Sequence, residues 1–207
     1  MESDIVKKRK EKIFSILKHR YFWVTGLLII ALILGIYIRS LPMQDHDGNP
    51  GLWDITTDSW TLGPDLDPYL FMRTAETIVE KGEIPKVDEM RYVPKGYETS
   101  RETRLLPYML AYTYYIGNIF IPTDNVYLAG ALFPVIMFAL TILSFFFFVR
   151  EVFNGDGKNE KQSIKAEIIA FISTFIMIVI PVFLPRTIAG IPEKESAAFF
   201  FMFLAFF

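Results

Sequence analysis

The sequence predicts an all-α protein that crosses a membrane several times. Long apolar runs alternate with charged stretches along the 207 residues, of which 20 are Phe. A run of about 18 or more apolar residues is typical of a membrane-spanning helix. The hydrophobic share of 52% is weaker evidence for a membrane protein, because average soluble chains reach roughly 45–50%. The net charge of −2 gives no bulk attraction to nucleic acid, and the lack of Cys excludes disulfides, thiolate metal sites and Cys nucleophiles.

The first predicted span covers residues 21–38 and follows a basic segment at residues 1–20. Seven cations occupy that segment: Lys7, Lys8, Arg9, Lys10, Lys12, Lys18 and Arg20. Because Lys and Arg are enriched on the cytoplasmic side of a span, the segment is predicted to be cytoplasmic. A cleaved signal peptide is the alternative. Its apolar core usually has about 7–15 residues and ends at small residues, whereas Arg39-Ser40-Leu41-Pro42 follows this run.

The rest of the chain is predicted to alternate between loops and spans. The order is a large external loop with surface helices at 39–122, a second span at 125–149, a cytoplasmic loop at 150–166, a third span at 167–185, an external acidic loop at 186–195 and the truncated start of a fourth span at 196–207. About 20 residues are needed to cross a bilayer, and a chain does not normally end inside hydrocarbon. We therefore expect the sequence to be part of a longer protein.

The segment Leu105 to Pro122 decides the topology. It is apolar, but it contains four Tyr, two Pro, a Gly and an Asn. Tyr rings favour the headgroup layer, so helices lying at the membrane surface are predicted. A true span is the alternative, and it would place the loops at 39–122 and 186–195 on opposite faces. The Lys and Arg residues of the loop at 150–166 favour the surface interpretation.

One helix of the external loop has clear boundary signals. Residues Pro68 to Lys81 are predicted to be helical, with Asp67 as the N-cap. Pro68 suits the first helical turn, and Gly82 suits the stop.

Two acidic groups beside the apolar layer are the candidates for chemistry. The first is Asp65-Leu66-Asp67, and the second is Glu193-Lys194-Glu195, preceded by Arg186. Carboxylates from two loops can share one hard divalent cation such as Mg²⁺ or Mn²⁺. Such a cation can hold a phosphate-linked substrate and neutralise a departing phosphate, and Arg186 can fork onto phosphate oxygens. In an extended segment, Glu193 and Glu195 would point the same way.

Simpler interpretations of these residues stay open. Asp67 can be a helix cap and nothing more. Glu193-Lys194-Glu195 can be a charged connector between two spans, and Arg186 can be an interfacial anchor. Asp45-His46-Asp47 is a further metal candidate, although it lies in a stretch rich in Gly and Pro.

From about Ile38 to Phe207 the sequence resembles the catalytic subunit of oligosaccharyltransferase in its archaeal form. The stretch Asp67-Pro68-Tyr69-Leu70-Phe71-Met72-Arg73 is similar to the first acidic motif of that family. Arg186 to Gly190, with Glu193 and Glu195 after it, is similar to the second acidic motif. Further residues follow the first motif as they do in the family: Pro85, Asp88, Arg91, Tyr92, Pro94 and Gly96.

The resemblance implies a C-type glycosyltransferase fold. It also implies transfer of an oligosaccharide from a polyprenyl phosphate carrier, dolichol in archaea, to Asn of an Asn-x-Ser/Thr acceptor polypeptide. It implies that Asp67, Glu193 and Glu195 are metal-site residues for Mn²⁺ or Mg²⁺, and that Asp67 also contacts the acceptor amide. Arg186 would support the acidic site or the lipid phosphate. These four residues are the predicted catalytic residues, on the extracytoplasmic face of the cell membrane.

The sequence departs from the family pattern in two ways. The second motif begins with Glu193 where the family commonly has Asp. The family's third acidic residue, on a distal external loop, and its soluble domain with a Trp-Trp-Asp motif do not occur in these 207 residues, so the chain alone is expected to be inactive. Two other functions remain as alternatives. One is another lipid-linked-sugar glycosyltransferase, such as a protein mannosyltransferase-like enzyme, and the other is a non-catalytic membrane subunit.

Overall fold

The computed structural model describes residues 20–155 and 160–207. The basic segment up to residue 19 lies outside these ranges, as do residues 156–159 of the predicted cytoplasmic loop. Within them the chain is mostly helical, with two antiparallel ribbons of two strands each. The all-α prediction is therefore confirmed.

The helices and strands of the described ranges follow one another in a simple order. They are α1 (Arg20–Ser40), a 3₁₀ turn (Leu41–Met43), β1 (Trp53–Asp54), β2 (Ser59–Trp60), α2 (Leu66–Lys81), β3 (Val87–Asp88), β4 (Tyr97–Glu98), a 3₁₀ turn (Thr99–Arg101), α3 (Leu105–Phe120), α4 (Val126–Asn154), α5 (Glu160–Val179), α6 (Leu184–Thr187) and α7 (Lys194–Phe206). Strand β1 pairs with β2, and β3 pairs with β4.

Three helices of the described ranges are long and apolar enough to cross a membrane. They cover Arg20–Met43, Val126–Asn154 and Lys161–Val179. Each overlaps one of the first three predicted spans, which supports the prediction of a membrane protein with several spans. Which side of the membrane each loop occupies stays a prediction.

Helix α4 is the centre of the packing. It contacts α1, α3, α5 and α7, and three of its fully buried side chains, Phe138, Ile142 and Phe146, recur every four residues along one face. Its 29 residues span about 44 Å at the rise of an α-helix. A bilayer's hydrocarbon is only about 30 Å thick, so α4 is long enough to cross it and extend beyond.

Helix α3 is the segment on which the topology depends. It has 16 residues, which correspond to about 24 Å and fall short of the hydrocarbon thickness. Its buried residues, among them Leu106 and Leu110, belong to a core shared with α2 and α4. The short length and this packing favour the predicted surface position, which stays a prediction.

The third apolar helix ends earlier than the sequence predicts. Helix α5 covers Glu160–Val179, whereas the predicted span extended to residue 185. Pro181 explains the early end, because the residue before a proline is disfavoured in the helical conformation. The chain then turns into the short helix α6, which carries Arg186.

Helix α2 forms where it is predicted, but its cap differs. The helix begins at Leu66, and the Asp65 carboxylate accepts a 2.7 Å hydrogen bond from the Leu66 amide. The prediction that Asp67 is the N-cap is therefore wrong, since Asp67 lies in the first turn. Gly82 ends the helix as predicted, with a left-handed conformation and its amide donating to Ile78 O.

Candidate functional site

Backbone hydrogen bonds join the two acidic segments. The Gly63 amide, just before α2, donates to Gly190 O at 2.8 Å. The Gly190 amide in turn donates to Ala131 O of α4 at 3.1 Å, and the Ala189 amide donates to Arg39 O of α1 at 2.9 Å. Residues far apart in sequence are thereby held at one end of α1 and α4.

Only glycine fits at residue 190 without strain. Its φ of +84° lies in the left-handed region, and an added Cβ would lie 2.6 Å from Leu52 Cδ1 and 3.0 Å from the Gly63 amide nitrogen. The close approach of the two segments therefore depends on the missing side chain. Nothing in the spacing of the acidic motifs reveals this contact.

Arg39 lies fully buried beneath the acidic loop. Its guanidinium donates to Thr187 Oγ1 at 3.2 Å and to the carbonyl of Ile178. Its Cζ lies 3.7 Å from the centre of the Phe138 ring. Nη2 has no hydrogen-bond partner among the described residues. This arginine therefore fixes the turn between α5 and α6, immediately before the second acidic motif.

Glu193 is the buried carboxylate of the second motif, with 5% of its surface exposed. One carboxylate oxygen accepts a hydrogen bond from the half-exposed guanidinium of Arg186. Burial raises the pKa of Glu193, the Arg186 hydrogen bond and charge lower it, and the charges of Glu195 and Asp65 raise it; the net direction is upward. The same hydrogen bond and nearby carboxylates raise the pKa of Arg186. We call Asp65, Arg186, Glu193 and Glu195 the acidic junction.

The first motif contributes Asp65 to the acidic junction. The negative charge of Asp65 contributes to the raised pKa of both Arg186 and Glu193. Asp67 is exposed and lines a neighbouring cavity of about 800 Å³ together with Lys194. The structure thus brings Arg186, Glu193 and Glu195 together, and it places Asp67 on the cavity beside them.

The expectation that Glu193 and Glu195 share one face is wrong. Glu193 is extended and precedes α7, but Lys194 and Glu195 already belong to that helix. Glu193 is consequently buried while Glu195 is exposed. The carbonyl of Glu193 accepts a 2.6 Å hydrogen bond from Ser196 Oγ, which fixes the start of the helix.

The donor chemistry of the acidic junction fits a hard divalent cation. Asp65, Glu193 and Glu195 supply carboxylate oxygens from two segments, and the negative charges of Glu195 and Asp65 contribute to the raised pKa of Glu193. Carboxylate oxygens are the ligands that such a cation prefers. Within residues 20–155 and 160–207, no group of three His, Cys, Asp or Glu side chains is placed to hold a metal by itself. Mg²⁺ commonly binds through one or two carboxylates plus water and substrate phosphates, so two of these carboxylates suffice for that mode.

The further candidate at Asp45-His46-Asp47 is a tight turn. Asp45 Oδ1 accepts a 3.2 Å hydrogen bond from the Gly48 amide, and His46 forms a bridge with Asn49. These contacts explain the local roles of Asp45 and His46 in the turn.

Ion pairs stabilise the loop that follows α2. Arg73 of α2 pairs with Asp88 of β3, and Arg91 pairs with Glu102 at 2.6 Å. The guanidinium of Arg91 also lies 3.9 Å from the centre of the Tyr97 ring. The first pair connects β3 to α2, and Arg91 connects β4 to the residue that follows the 3₁₀ turn. Arg73, Asp88 and Glu102 line the cavity beside Asp67.

Comparison with solved structures identifies the fold. The chain superposes on the archaeal oligosaccharyltransferase AglB from Archaeoglobus fulgidus, in complex with an inhibitory peptide and a dolichol-phosphate, with a TM-score of 0.67, 24% identity and 90% of this chain covered. This chain shares its fold with an archaeal oligosaccharyltransferase. A second structure of the Archaeoglobus fulgidus oligosaccharyltransferase, tethered to an acceptor peptide containing the NVT sequon, gives a TM-score of 0.66 and 21% identity over the same share of the chain.

The chain spans about a fifth of these oligosaccharyltransferases, 19% and 20% of their lengths. No protein-family model matches the sequence, and no curated protein matches it significantly. The predicted fold, that of a multi-spanning C-type glycosyltransferase, is confirmed by the structural likeness. The catalytic roles of Asp67, Arg186, Glu193 and Glu195 stay predictions.

Two residues of the site escape sequence reasoning. Arg39 looks like an ordinary flanking cation, because its partners Ile178 and Thr187 lie 139 and 148 positions away. Gly63 is one of twelve glycines, and only its contact with Gly190 of the second motif distinguishes it. For Asp65 a signal did exist, since it stands two residues before Asp67 in the first motif.

Proposed function

We propose that this chain forms part of an oligosaccharyltransferase, which transfers a glycan from a polyprenyl or dolichyl phosphate carrier to Asn of an Asn-x-Ser/Thr acceptor. The observation that carries the proposal is the hydrogen bond between Gly63 and Gly190, which joins the two acidic segments within the shared fold. One similar structure was solved with a dolichol-phosphate and an inhibitory peptide, and the other with an acceptor peptide. These are the ligand classes that the proposal assigns to this protein.

Each residue of the site has a distinct proposed role. Asp67 is exposed and accepts a hydrogen bond from the acceptor amide. Arg186 uses part of its guanidinium to hold Glu193, and its half-exposed remainder is available to phosphate oxygens. Arg39 acts on neither substrate; it positions the turn that carries Arg186.

A divalent cation is the proposed cofactor, held by Glu193 and Glu195 with Asp65 or Asp67. When bound, Mn²⁺ or Mg²⁺ would supply a positive charge that stabilises a departing phosphate. Binding would be visible without catalysis. Mn²⁺ should raise the melting temperature of the protein, and Glu193→Gln should reduce that increase, because one carboxylate ligand becomes a neutral amide.

The proposal is tested by transfer from a lipid-linked donor to an Asn-x-Thr peptide. The protein is used at its full natural length, in membranes, with Mn²⁺ or Mg²⁺. We expect Asp67→Asn and Glu193→Gln to lower the rate by two orders of magnitude or more, as is typical when a group that stabilises transition-state charge is removed. Asp58→Asn is the matched control, because Asp58 is exposed and lies outside the acidic junction.

Two results would contradict the proposal. The first is full transfer by both Asp67→Asn and Glu193→Gln at unchanged expression. The second is transfer to a Ser/Thr-rich peptide with none to the Asn-x-Thr peptide, which would favour a protein mannosyltransferase-like enzyme instead.

A further inference from the structure

Tyr69 of the first acidic motif makes contacts that the proposed roles of the site residues do not include. It lies two residues after Asp67 in helix α2, and its hydroxyl donates to Leu62 O at 3.2 Å. The same oxygen lies 3.2 Å from Thr61 Oγ1. A phenol has a single O–H donor, so the Thr61 hydroxyl is the donor in this second contact. Hydrogen bonds thus join the first turns of α2 to the segment that precedes the helix.

The bond from Tyr69 to Leu62 closes a short loop. Residues 62–69 form this loop, and both carboxylates of the first motif, Asp65 and Asp67, belong to it. One end of the loop is fixed independently, because the Leu62 side chain is buried in a core that it shares with α2. A loop whose ends are held together has fewer conformations than an open one. The Tyr69 hydroxyl therefore restricts where the two carboxylates can lie.

The closed loop is connected directly to the second motif. Its Gly63 amide donates to Gly190 O at 2.8 Å. The residue before the loop is held as well, since the Thr61 amide donates to Leu52 O at 2.9 Å. The segment before α2 is thus fixed to the second motif, and the Tyr69 hydroxyl fixes the start of α2 to that segment.

The Tyr69 ring points away from the cavity beside Asp67. Asp67, Leu70 and Phe71 line that cavity, and their spacing of three and four residues places them on one face of α2. The Tyr69 ring lies toward α4 instead, with its centre 6.5 Å from that of the Tyr127 ring. Tyr69 consequently acts through the carboxylates of its loop and not on a substrate.

We propose that Tyr69 is a positioning residue, whose hydroxyl holds the first acidic motif in place for the divalent cation and the acceptor. This inference rests on the proposed function, which assigns the cation and the acceptor contact to these carboxylates. Without the hydroxyl, the loop opens while the bond from Gly63 to Gly190 remains, so the first motif moves and the second stays. The reacting groups are unchanged, but they meet in the productive arrangement less often.

A second tyrosine provides a matched control. Tyr115 of α3 donates to Ile78 O at 3.5 Å and to Val79 O at 3.4 Å, near the opposite end of α2. The two tyrosines are similarly exposed, at 38% for Tyr69 and 41% for Tyr115. Tyr69→Phe and Tyr115→Phe each remove one hydroxyl that binds a backbone carbonyl, and their effects on the melting temperature should be similar. Only Tyr69→Phe should affect the site.

The first measurement is Mn²⁺ binding to the protein at its full natural length in detergent. Bound Mn²⁺ is determined from the loss of the EPR signal of the free ion, so the measurement needs neither substrate nor transfer. We expect the Kd for Mn²⁺ to rise about fivefold in Tyr69→Phe, the factor that corresponds to the net contribution of one neutral hydrogen bond. Tyr115→Phe should bind Mn²⁺ as the wild type does.

The second measurement is glycan transfer to an Asn-x-Thr peptide at saturating Mn²⁺. We expect kcat to fall about fivefold in Tyr69→Phe and to stay unchanged in Tyr115→Phe. The donor KM should stay within about twofold in both variants, because the proposed phosphate contact of Arg186 belongs to the second motif.

The two measurements distinguish this inference from the proposed function. If the two variants agree in both the Kd for Mn²⁺ and kcat, the inference is overturned even though the enzyme is active. Mn²⁺ binding that is weakened only in Tyr69→Phe supports the inference, and it does so even if the wild type transfers no glycan, a result that contradicts the proposed function alone. If the wild type binds no Mn²⁺, the comparison of kcat decides. A wild type that neither binds Mn²⁺ nor transfers a glycan overturns both.

Discussion

At Glu193, burial and ion pairing act on one carboxylate in opposite directions. Burial dominates, so the pKa is raised in the folded protein despite the contact with Arg186. A raised pKa means that folded Glu193 holds its proton more tightly than unfolded Glu193 does. Its stabilising contribution is therefore fully present below the ordinary pKa of about 4.3. That contribution is lost as the pH rises through the folded value.

The first prediction follows from this sign. Between about pH 4 and pH 7, the melting temperature of the wild type should fall relative to that of Glu193→Gln, which has no proton to lose. Glu195→Gln should shift this fall to lower pH, because the Glu195 charge contributes to the raised pKa. Thermal unfolding in detergent at several pH values measures both effects. A difference that is constant with pH, or that grows in favour of the wild type, would show that the Arg186 contact dominates.

The structural role of Arg39 cannot be recognised from the sequence alone. Placed at the end of an apolar run, it has the sequence context of a snorkelling cation. In the structure it is fully buried, stacks on Phe138 and donates to the α5–α6 turn. A buried guanidinium is costly unless hydrogen-bonded. The bonds to Ile178 and Thr187 connect the carboxy-terminal end of α1 to the segment that precedes the second acidic motif.

At the scale of single elements, the loop around Gly190 depends on the close approach of its backbone to that of Gly63. Gly190 and Gly82 have nearly the same left-handed backbone, with φ of +84° and +83°. A Cβ at Gly82 meets nothing within 4 Å, whereas a Cβ at Gly190 meets Leu52 and the Gly63 amide. The two glycines therefore differ in their surroundings and not in their backbone conformation.

The second prediction uses this matched pair. Gly82→Ala should lower the unfolding free energy by about 1–3 kcal/mol, the ordinary cost of a non-glycine residue in such a conformation. Gly190→Ala should cost more and should also lower transfer activity, because it separates the two acidic segments. Equal melting temperatures and equal activities for the two variants would show that the approach to Gly63 is unimportant. Both can be measured on the same preparations.

The elements that sequence predicts correctly are those with local causes. The apolar runs predict α1, α4 and α5, and Gly82 predicts the end of α2 from its own backbone preference. The N-cap prediction failed because Asp65 and Asp67 both suit that position. The sequence does not reveal that the helix begins at Leu66, which makes Asp65 the cap. The prediction that Glu193 and Glu195 share one face failed because helix α7 begins at Lys194, two residues before the predicted start at residue 196.

At the scale of the whole molecule, the predicted topology can be tested directly. These 207 residues contain no Cys, so a cysteine introduced among them is the only one in this part of the protein. Ser100→Cys and Lys194→Cys should react with a membrane-impermeant maleimide from outside intact cells, and Glu151→Cys should react only after permeabilisation. All three positions are exposed in the structure. Labelling of residues 100 and 194 from opposite sides would mean that α3 crosses the membrane.

The packing of the whole chain is the part least accessible from sequence. The core around Phe138 and Ile142 gathers side chains from α1, α5 and α7, and hydrophobic periodicity cannot say which apolar helices meet. The cavity beside Asp67 is likewise hidden from sequence analysis, because its lining residues are scattered from residue 67 to residue 194. The acidic motifs could be identified by their resemblance, but their meeting point could not.

The hydrogen bond from Gly63 to Gly190 also makes the site observable on the timescale of amide exchange. The Gly63 proton can exchange with deuterium only when this bond opens, that is, when the two acidic segments part. Its protection factor is therefore a direct measure of how often the unliganded site comes apart. A ligand that bridges the segments would slow deuterium uptake at the Gly63 amide, whether that ligand is the donor or the acceptor.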